Sequence, residues 1–232
     1  MSIVSRVSRN VRTYDHFCLV ARALEQVGDR WSLLVVRDLR TGPKRFTDLM
    51  ARLAGITPKT LSQRLRELAD LGLVTDDREP GRREVRYQLT TAGSELGPVL
   101  DSLSWWGLRH AWRWPEPGEP LHIEHLLAAL VQAVEHSTDE HPASDQVRAR
   151  WHFRFPGQDY LVEGDGRHWS LTSGAPQAEC DVTVTATVDA FVQFLFGPPE
   201  PAELKIDIVG DPKAVDMFKR LVSTFDATVR PA

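Results

Sequence analysis

Two rhythms of apolar residues divide the chain. From Asp15 to Gly72 the apolar positions recur at helical spacing. Leu19, Ala23 and Val27 predict a first helix within Asp15 to Val27, interrupted by Gly28. Asp29 can cap a second helix, "RWSLLVVRDLRTG", which buries Trp31, Leu34, Val35 and Leu39 and stops at Gly42-Pro43. A short third helix is expected around Phe46, Leu49, Met50 and Leu53. Thr57 then offers an N-cap, and Pro58 fills the first helical position, where its missing N–H costs nothing. The fourth helix buries Leu61, Leu65 and Leu68, with Leu71 as a last anchor, and ends at Gly72. Two alternating segments, "LVTDD" and "EVRYQLT", flank the turn "REPGRR" and predict a β-hairpin. Thr91 to Trp112 is expected to form one long helix, whose Trp105, Trp106 and Trp112 suit dimer or domain packing better than ligand binding.

The rhythm changes after "WRWPEPGEP", Trp112 to Pro120, whose prolines and glycine preclude a continuous helix. One amphipathic helix, "LHIEHLLAALVQAVE", is followed by the strand patterns "RARWHFRF", "QDYLVEGD", "HWSLTS" and "CDVTVTAT". A helix "VDAFVQFLFG", a strand "ELKIDIVG" and a final helix from "DPKAVDMFKRLVSTF" complete the chain. Strands that meander before helices predict an α+β fold rather than repeated βαβ units. The expected organisation is a first domain over residues 1–113, a linker over 114–121 and an α+β domain over 122–232.

Charge reinforces this division. Residues 1–113 hold 19 Lys and Arg against 13 Asp and Glu, whereas residues 114–232 hold 9 against 19. A basic half suits a polyanionic partner. Two cysteines, Cys18 and Cys180, are too few for a disulfide framework and suit a reducing cytoplasm. No apolar run is long enough to span a membrane, and no apolar stretch follows the N-terminal arginines as a secretory signal requires.

Helices two to four followed by a hairpin give the order of a winged helix-turn-helix. A helix fits the DNA major groove while the preceding helix braces it across the backbone. Thr60, Gln63, Arg64 and Glu67 share one predicted outward stripe, flanked by Lys59, Ser62 and Arg66. Gln and Arg can bond base edges; Lys, Ser and Thr, including the capping Thr57, can hold phosphates. Arg78, Arg82, Arg83 and Arg86 make a basic hairpin that can reach phosphates or the minor groove, and Lys44 and Arg45 add backbone contacts ahead of the third helix. Solubilising charge on an amphipathic helix explains any one of these residues. The coincidence of a polar helix face, a basic hairpin and a basic half is what points to double-stranded DNA.

The stretch "DRWSLLVVRDLRTGPKRFTDLMARLAGITPKTLSQRLRELADLGLVTDD", followed by "VRYQLTTAGSELGPVLDSLSWWG", resembles the HxlR-type transcriptional regulators. Their motifs are similar to G-x-[RK]-W, R-F-x-[DE]-L, I-[ST]-x-[RK]-x-L-[ST]-x-R-L-[RK]-x-L, G-L-V and V-x-Y-x-L-T-x-x-G, and the match spans Cys18 to Trp106. The resemblance implies dimers that bind operator DNA through the helix from Pro58 and the wing, with dimerisation near Phe17 to Leu24 and Leu96 to Trp112. The expected protein is a homodimeric regulator, a repressor, whose two recognition helices enter successive major grooves of a pseudo-palindromic operator. Cys18 stands where many relatives carry a cysteine that, in some, senses oxidants or electrophiles. Here "FCLVA" lacks the proline that usually follows it. A buried small apolar role for Cys18 is the simpler reading.

The stretches "DVTVTATVDAFVQFLFG" and "LKIDIVGDPKAVDMFKRLVSTF" resemble sterol-carrier-protein-like domains. That resemblance implies a five-stranded sheet with helices and an apolar tunnel for a hydrophobic small ligand. Phe191, Phe194, Leu195, Met217, Phe218 and Leu221 could line such a cavity or simply fill a core. The histidines form no metal-ligand pattern, no cofactor is indicated, and no nucleophile or phosphate-loop motif occurs, so an enzyme is not expected. The rival readings are a thiol switch at Cys18 and a hydrophobic-ligand carrier that uses the winged helix as a scaffold.

Overall fold

The computed structural model describes residues 13–77, 84–116, 118–140, 148–166, 168–197 and 204–229, without the side chains of 136–140 and 224–229. The contacts group into two units, Met1–Gly97 and Pro98–Ala232. The segment after Gly97 groups with the second unit.

In the first unit, α1 spans Leu19–Val27, α2 Ser32–Leu39, α3 Phe46–Arg52 and α4 Pro58–Asp70. Helix α1 starts later than its periodicity suggests because Asp15 adopts φ 51°, a left-handed conformation that breaks a helix. The strands are β1 (Lys44–Arg45), β2 (Val74–Asp77) and β3 (Arg86–Leu89), in the order β1-β3-β2 and antiparallel throughout. Strand β1 has only two residues and was not anticipated. The turn "REPGRR", with Arg78, Arg82 and Arg83, lies outside the described residues. Val35, Val36 and Leu39 of α2, Leu49 of α3, Leu61, Leu65 and Leu68 of α4 and Val74 of β2 are buried and make the core.

The junction from α4 into the hairpin explains several motif residues at once. Gly72 takes φ 70° just past the helix, and the Leu73 N–H reaches back to the Leu68 carbonyl at 2.9 Å, the closing bond of a Schellman turn. Thr90 then clasps this turn, donating its hydroxyl to the Gly72 carbonyl at 2.6 Å and its N–H to the Leu73 carbonyl at 3.0 Å. The same hydroxyl accepts the Gly93 N–H at 3.1 Å and so caps α5 (Thr91–Ser94). Gly93 rests directly against Leu73, and a Cβ there would fall 2.0 Å from its carbonyl oxygen. Gly93→Ala is therefore expected to cost about 1–3 kcal/mol by forcing α5 off the hairpin, measurable as a lowered denaturation midpoint with an unchanged slope.

The predicted long helix from Thr91 to Trp112 is two helices, α5 and α6 (Gly97–His110). Pro98 is the physical reason: it has no N–H to continue the helix, and its ring opposes the carbonyl four residues earlier.

The second unit contains α6, α7 (Ile123–Glu140) and a five-stranded sheet of β4 (Arg148–Phe155), β5 (Gln158–Asp165), β6 (Trp169–Ser173), β7 (Val182–Ala186) and β8 (Ile206–Gly210). The strand order is β6-β5-β4-β7-β8, antiparallel except for the β4–β7 pair. Helices α8 (Val188–Phe196) and α9 (Pro212–Val229) flank β8 in sequence. Alternation along β4 sends Trp151, Phe153 and Phe155 into the core, where Phe191, Phe218, Leu127 and Leu130 meet them. On the other face, His152 contacts Asp159 at 2.6 Å. Helix α6 contributes Leu108 to this core, and Trp112 beyond it stacks on Phe196 with ring centroids 3.7 Å apart. Asp101 of α6 accepts a hydrogen bond from Gln132 of α7 at 2.6 Å. The fold is mixed α+β, with a winged helix-turn-helix in the first unit.

Candidate nucleic-acid interface

Helix α4 is built to offer one face. Thr57 caps it by accepting the Thr60 N–H at 3.2 Å, and the two hydroxyls lie 2.8 Å apart. Burial of Leu61, Leu65 and Leu68 fixes the helix against α2 and β2, and leaves Lys59, Ser62, Gln63 and Arg66 exposed. Gln63 donates its amide to Glu67 at 3.0 Å, and the Arg66 Nε donates to the Ser62 carbonyl at 3.2 Å. Both bonds lie along the helix surface, so they arrange these side chains without burying them.

Arg64 behaves differently from its place in the predicted stripe. Its Nη1 donates to Glu67 at 2.5 Å and lies 3.3 Å from the Asp29 carboxylate, and the side chain is only 24% exposed. Asp29 also accepts the Trp31 and Ser32 N–H groups at 2.9 and 3.2 Å, and the Ser32 hydroxyl as well. Arg64 thus ties the fourth helix to the start of the second. Half-buried Thr60 and Glu67 likewise leave Gln63 as the exposed member of the four. Nothing local signals this, because Asp29 lies far upstream of Arg64. Arg64→Ala is expected to lower stability by about 1–2 kcal/mol, reflecting a partly solvent-screened pair. Urea unfolding of the first unit measures it.

The other expected cations are distributed around the helix. The Lys44 ammonium donates to the Thr41 hydroxyl at 2.9 Å and to the Thr41 and Gly42 carbonyls at 3.4 Å, closing the end of α2. Arg45 pairs with Glu84 at 2.6 Å, and its backbone N–H donates to Asp48 at 2.9 Å, which fixes the start of α3. Arg86 is exposed, with Arg45 beside it on β1 and Asp77 beside it on β2. Beneath α3, the fully buried Asp38 carboxylate lies 3.4 Å from Arg37 and 3.3 Å from Arg52. That pairing was not read from the sequence; a charged residue inside the apolar run "SLLVVRDL" was its only signal.

Residues 26–114 match the family model described as HxlR-like helix-turn-helix. An uncharacterized HTH-type transcriptional regulator of Mycobacterium tuberculosis is 45% identical over 109 residues, 46% of this chain and 66% of that protein. One from Methanothermobacter thermautotrophicus is 33% identical over 106 residues, 45% of this chain and 81% of the relative. The chain belongs to the HxlR family. It spans slightly under two thirds of the length of the mycobacterial relative. Among solved structures, the reduced form of the transcriptional regulator YodB from Bacillus subtilis is 30% identical, covering 41% of this chain and 95% of that one, with a TM-score of 0.37.

The HxlR match begins inside α1 and runs through α6, so Cys18 and residues 115–232 lie outside it. Cys18 is half-buried at the N-cap of α1, where its carbonyl accepts the Arg22 N–H at 3.0 Å. The Arg22 guanidinium stands 5.1 Å over the Phe17 ring, the cation–π partner it finds in this structure. In the second unit, partial burial pushes the Cys180 thiol above its usual range, which makes it a poor nucleophile.

Of the residues expected to line a ligand cavity, Phe191, Leu195 and Phe218 are buried in the core, and Phe194, Met217 and Leu221 pack around it. A cavity of about 630 Å³ lies elsewhere, at the sheet end where β4 finishes, β7 enters α8 and β8 begins. Phe155, Pro156, Ala186, Leu204 and Ile206 form its apolar wall, and none of the six expected residues lines it. Among the described residues no three His, Cys, Asp or Glu side chains are grouped to hold a metal ion, and no helix is long and apolar enough to cross a membrane.

Proposed function

We propose that this HxlR-family chain is a DNA-binding transcriptional regulator that acts as a homodimer on a pseudo-palindromic operator. The observation that carries the reading is α4 itself: three buried leucines hold it, and Lys59, Ser62, Gln63 and Arg66 form its free face. Such a helix fits a major groove, and the β2–β3 hairpin supplies the wing. Bases are read by Gln63 and Arg66 and phosphates held by Lys59, Ser62 and the cations of the hairpin. A dimer covering a promoter excludes other proteins from it, so repression is the expected outcome.

Exposed apolar side chains support the dimer. Phe17, Leu19, Val20 and Leu24 stand out from the segment of α1, and Leu103 and Trp106 from α6. The functional domains run over 1–113 and 122–232, with the second a sterol-carrier-like regulatory domain that takes a hydrophobic small ligand.

An electrophoretic shift with DNA from upstream of the gene tests the reading. Two half-sites about 34 Å apart are expected in a footprint. Log affinity should fall linearly with log salt, at about 0.9 per phosphate neutralised. A salt-independent affinity, or equal affinity for unrelated DNA, would overturn operator recognition.

A further inference from the structure

Glu67 carries a negative charge on the helix that is to meet DNA, where it opposes the phosphates. Its surroundings give it a use. One carboxylate oxygen accepts the Arg64 Nη1 at 2.5 Å, and the same Nη1 lies 3.3 Å from Asp29, just ahead of α2. The other oxygen accepts the Gln63 amide N–H at 3.0 Å. A relay of side chains therefore runs from Asp29 through Arg64 and Glu67 to Gln63, and so from the start of α2 to the outer face of α4. Arg64 and Glu67 are half-buried along it, and only Gln63 at its end is fully offered to a partner.

The last bond of the relay fixes which way the Gln63 amide points. An ionised carboxylate only accepts hydrogen bonds, so the group turned to Glu67 is the amide nitrogen and not the carbonyl. A surface glutamine otherwise turns its amide over freely. Here inversion would set the carbonyl oxygen against the carboxylate. Gln63 thus keeps one N–H and its carbonyl oxygen for a partner. In the major groove only adenine sets an acceptor, N7, beside a donor, the N6 amino group. Guanine presents two acceptors, cytosine a donor, and thymine an acceptor and a methyl group.

We infer that Gln63 reads adenine, donating to N7 and accepting from N6, and that Glu67 is the positioning residue that holds the amide in that sense. The inference rests on the reading of α4 as the recognition helix, and adds the base it specifies and the side chain that sets the choice. A held amide loses less rotamer freedom when it meets the base. It also rejects guanine, because its carbonyl would face the O6 acceptor.

Selection of sites for the full chain from a randomised duplex pool, followed by gel shifts on the selected duplex, tests this. One A·T pair in each half-site should depend on Gln63. Replacing its adenine with 7-deazaadenine removes the N7 acceptor, and replacing it with purine removes the N6 donor. Each should weaken the unsubstituted protein about tenfold, whereas Gln63→Ala should bind all three duplexes alike. Glu67→Gln keeps the size of the side chain but can donate as well as accept. It should cut the preference for adenine over guanine at that pair about tenfold and leave the other pairs unchanged, with a thermal scan showing that it is folded. Preference lost evenly across the whole site, or not lost at all, would overturn the positioning role of Glu67. A Gln63-dependent pair other than A·T, or analogues that cost nothing, would overturn the adenine assignment while operator recognition stands. If the pool yields no preferred sequence, the recognition-helix reading falls and this inference with it.

Discussion

Replacing Lys59 and Gln63 together with alanine is expected to weaken operator binding on the order of 100-fold while leaving the protein folded. Both side chains are exposed, whereas the leucines that seat α4 are buried. Removing a base contact costs about 1–3 kcal/mol, and removing a phosphate contact lowers affinity across all sequences and reduces the salt slope by about one. The two single variants should therefore separate. Gln63→Ala should relax discrimination at one base pair, whereas Lys59→Ala should flatten the salt dependence without changing preference. Quantitative gel shifts at several salt concentrations with a library of single-base operator variants resolve the two effects. An unchanged affinity in the double variant would remove α4 as the reading element. Arg64→Ala is the useful contrast: its loss should appear first in stability, because Arg64 holds Asp29 and Glu67.

What the sequence made legible follows from how local each signal is. The start of α4 at Thr57-Pro58 and its end at Gly72 were readable, because an N-cap, a first-turn proline and a left-handed glycine act within a few residues. The alternating strands of the second unit were readable for the same reason. Three features were not. Strand β1 exists only because Lys44 and Arg45 pair with Tyr87 and Arg86, and two residues carry no periodicity. Arg64 looked like its neighbours on the helix until the fold brought Asp29 to it. The cavity draws its walls from the ends of three strands, which no single stretch of sequence records. The break before α6 was available in Gly97-Pro98, but the leucine spacing across it suggested a continuous helix. Periodicity reports that a side chain is buried, not what it is buried against.

Phe218→Ala is expected to destabilise the second unit by about 3–5 kcal/mol, the cost of a large cavity in a packed core. Phe218 is fully buried, with its ring 5.0 Å from Trp151 in an edge-on contact and 6.4 Å from Phe194 in a parallel one. It therefore joins α9 to the central strand β4 and to α8, and neighbours of this size cannot collapse to fill the gap. Denaturant unfolding followed by circular dichroism should show the loss as an earlier transition; a change under 1 kcal/mol would mean that the core is looser than its ring geometry implies. Hydrogen exchange adds a sharper test of where α6 belongs. Leu108 lies in the same core and Trp112 stacks on Phe196, while the HxlR match runs to residue 114. If α6 is held chiefly by the second unit, its amides should lose protection together with β4 and α9 in the Phe218 variant, while those of α4 keep theirs. Protection of α6 that instead follows α4 would assign it to the helix-turn-helix. In the expected case, α6 is only as firm as the core that holds Leu108.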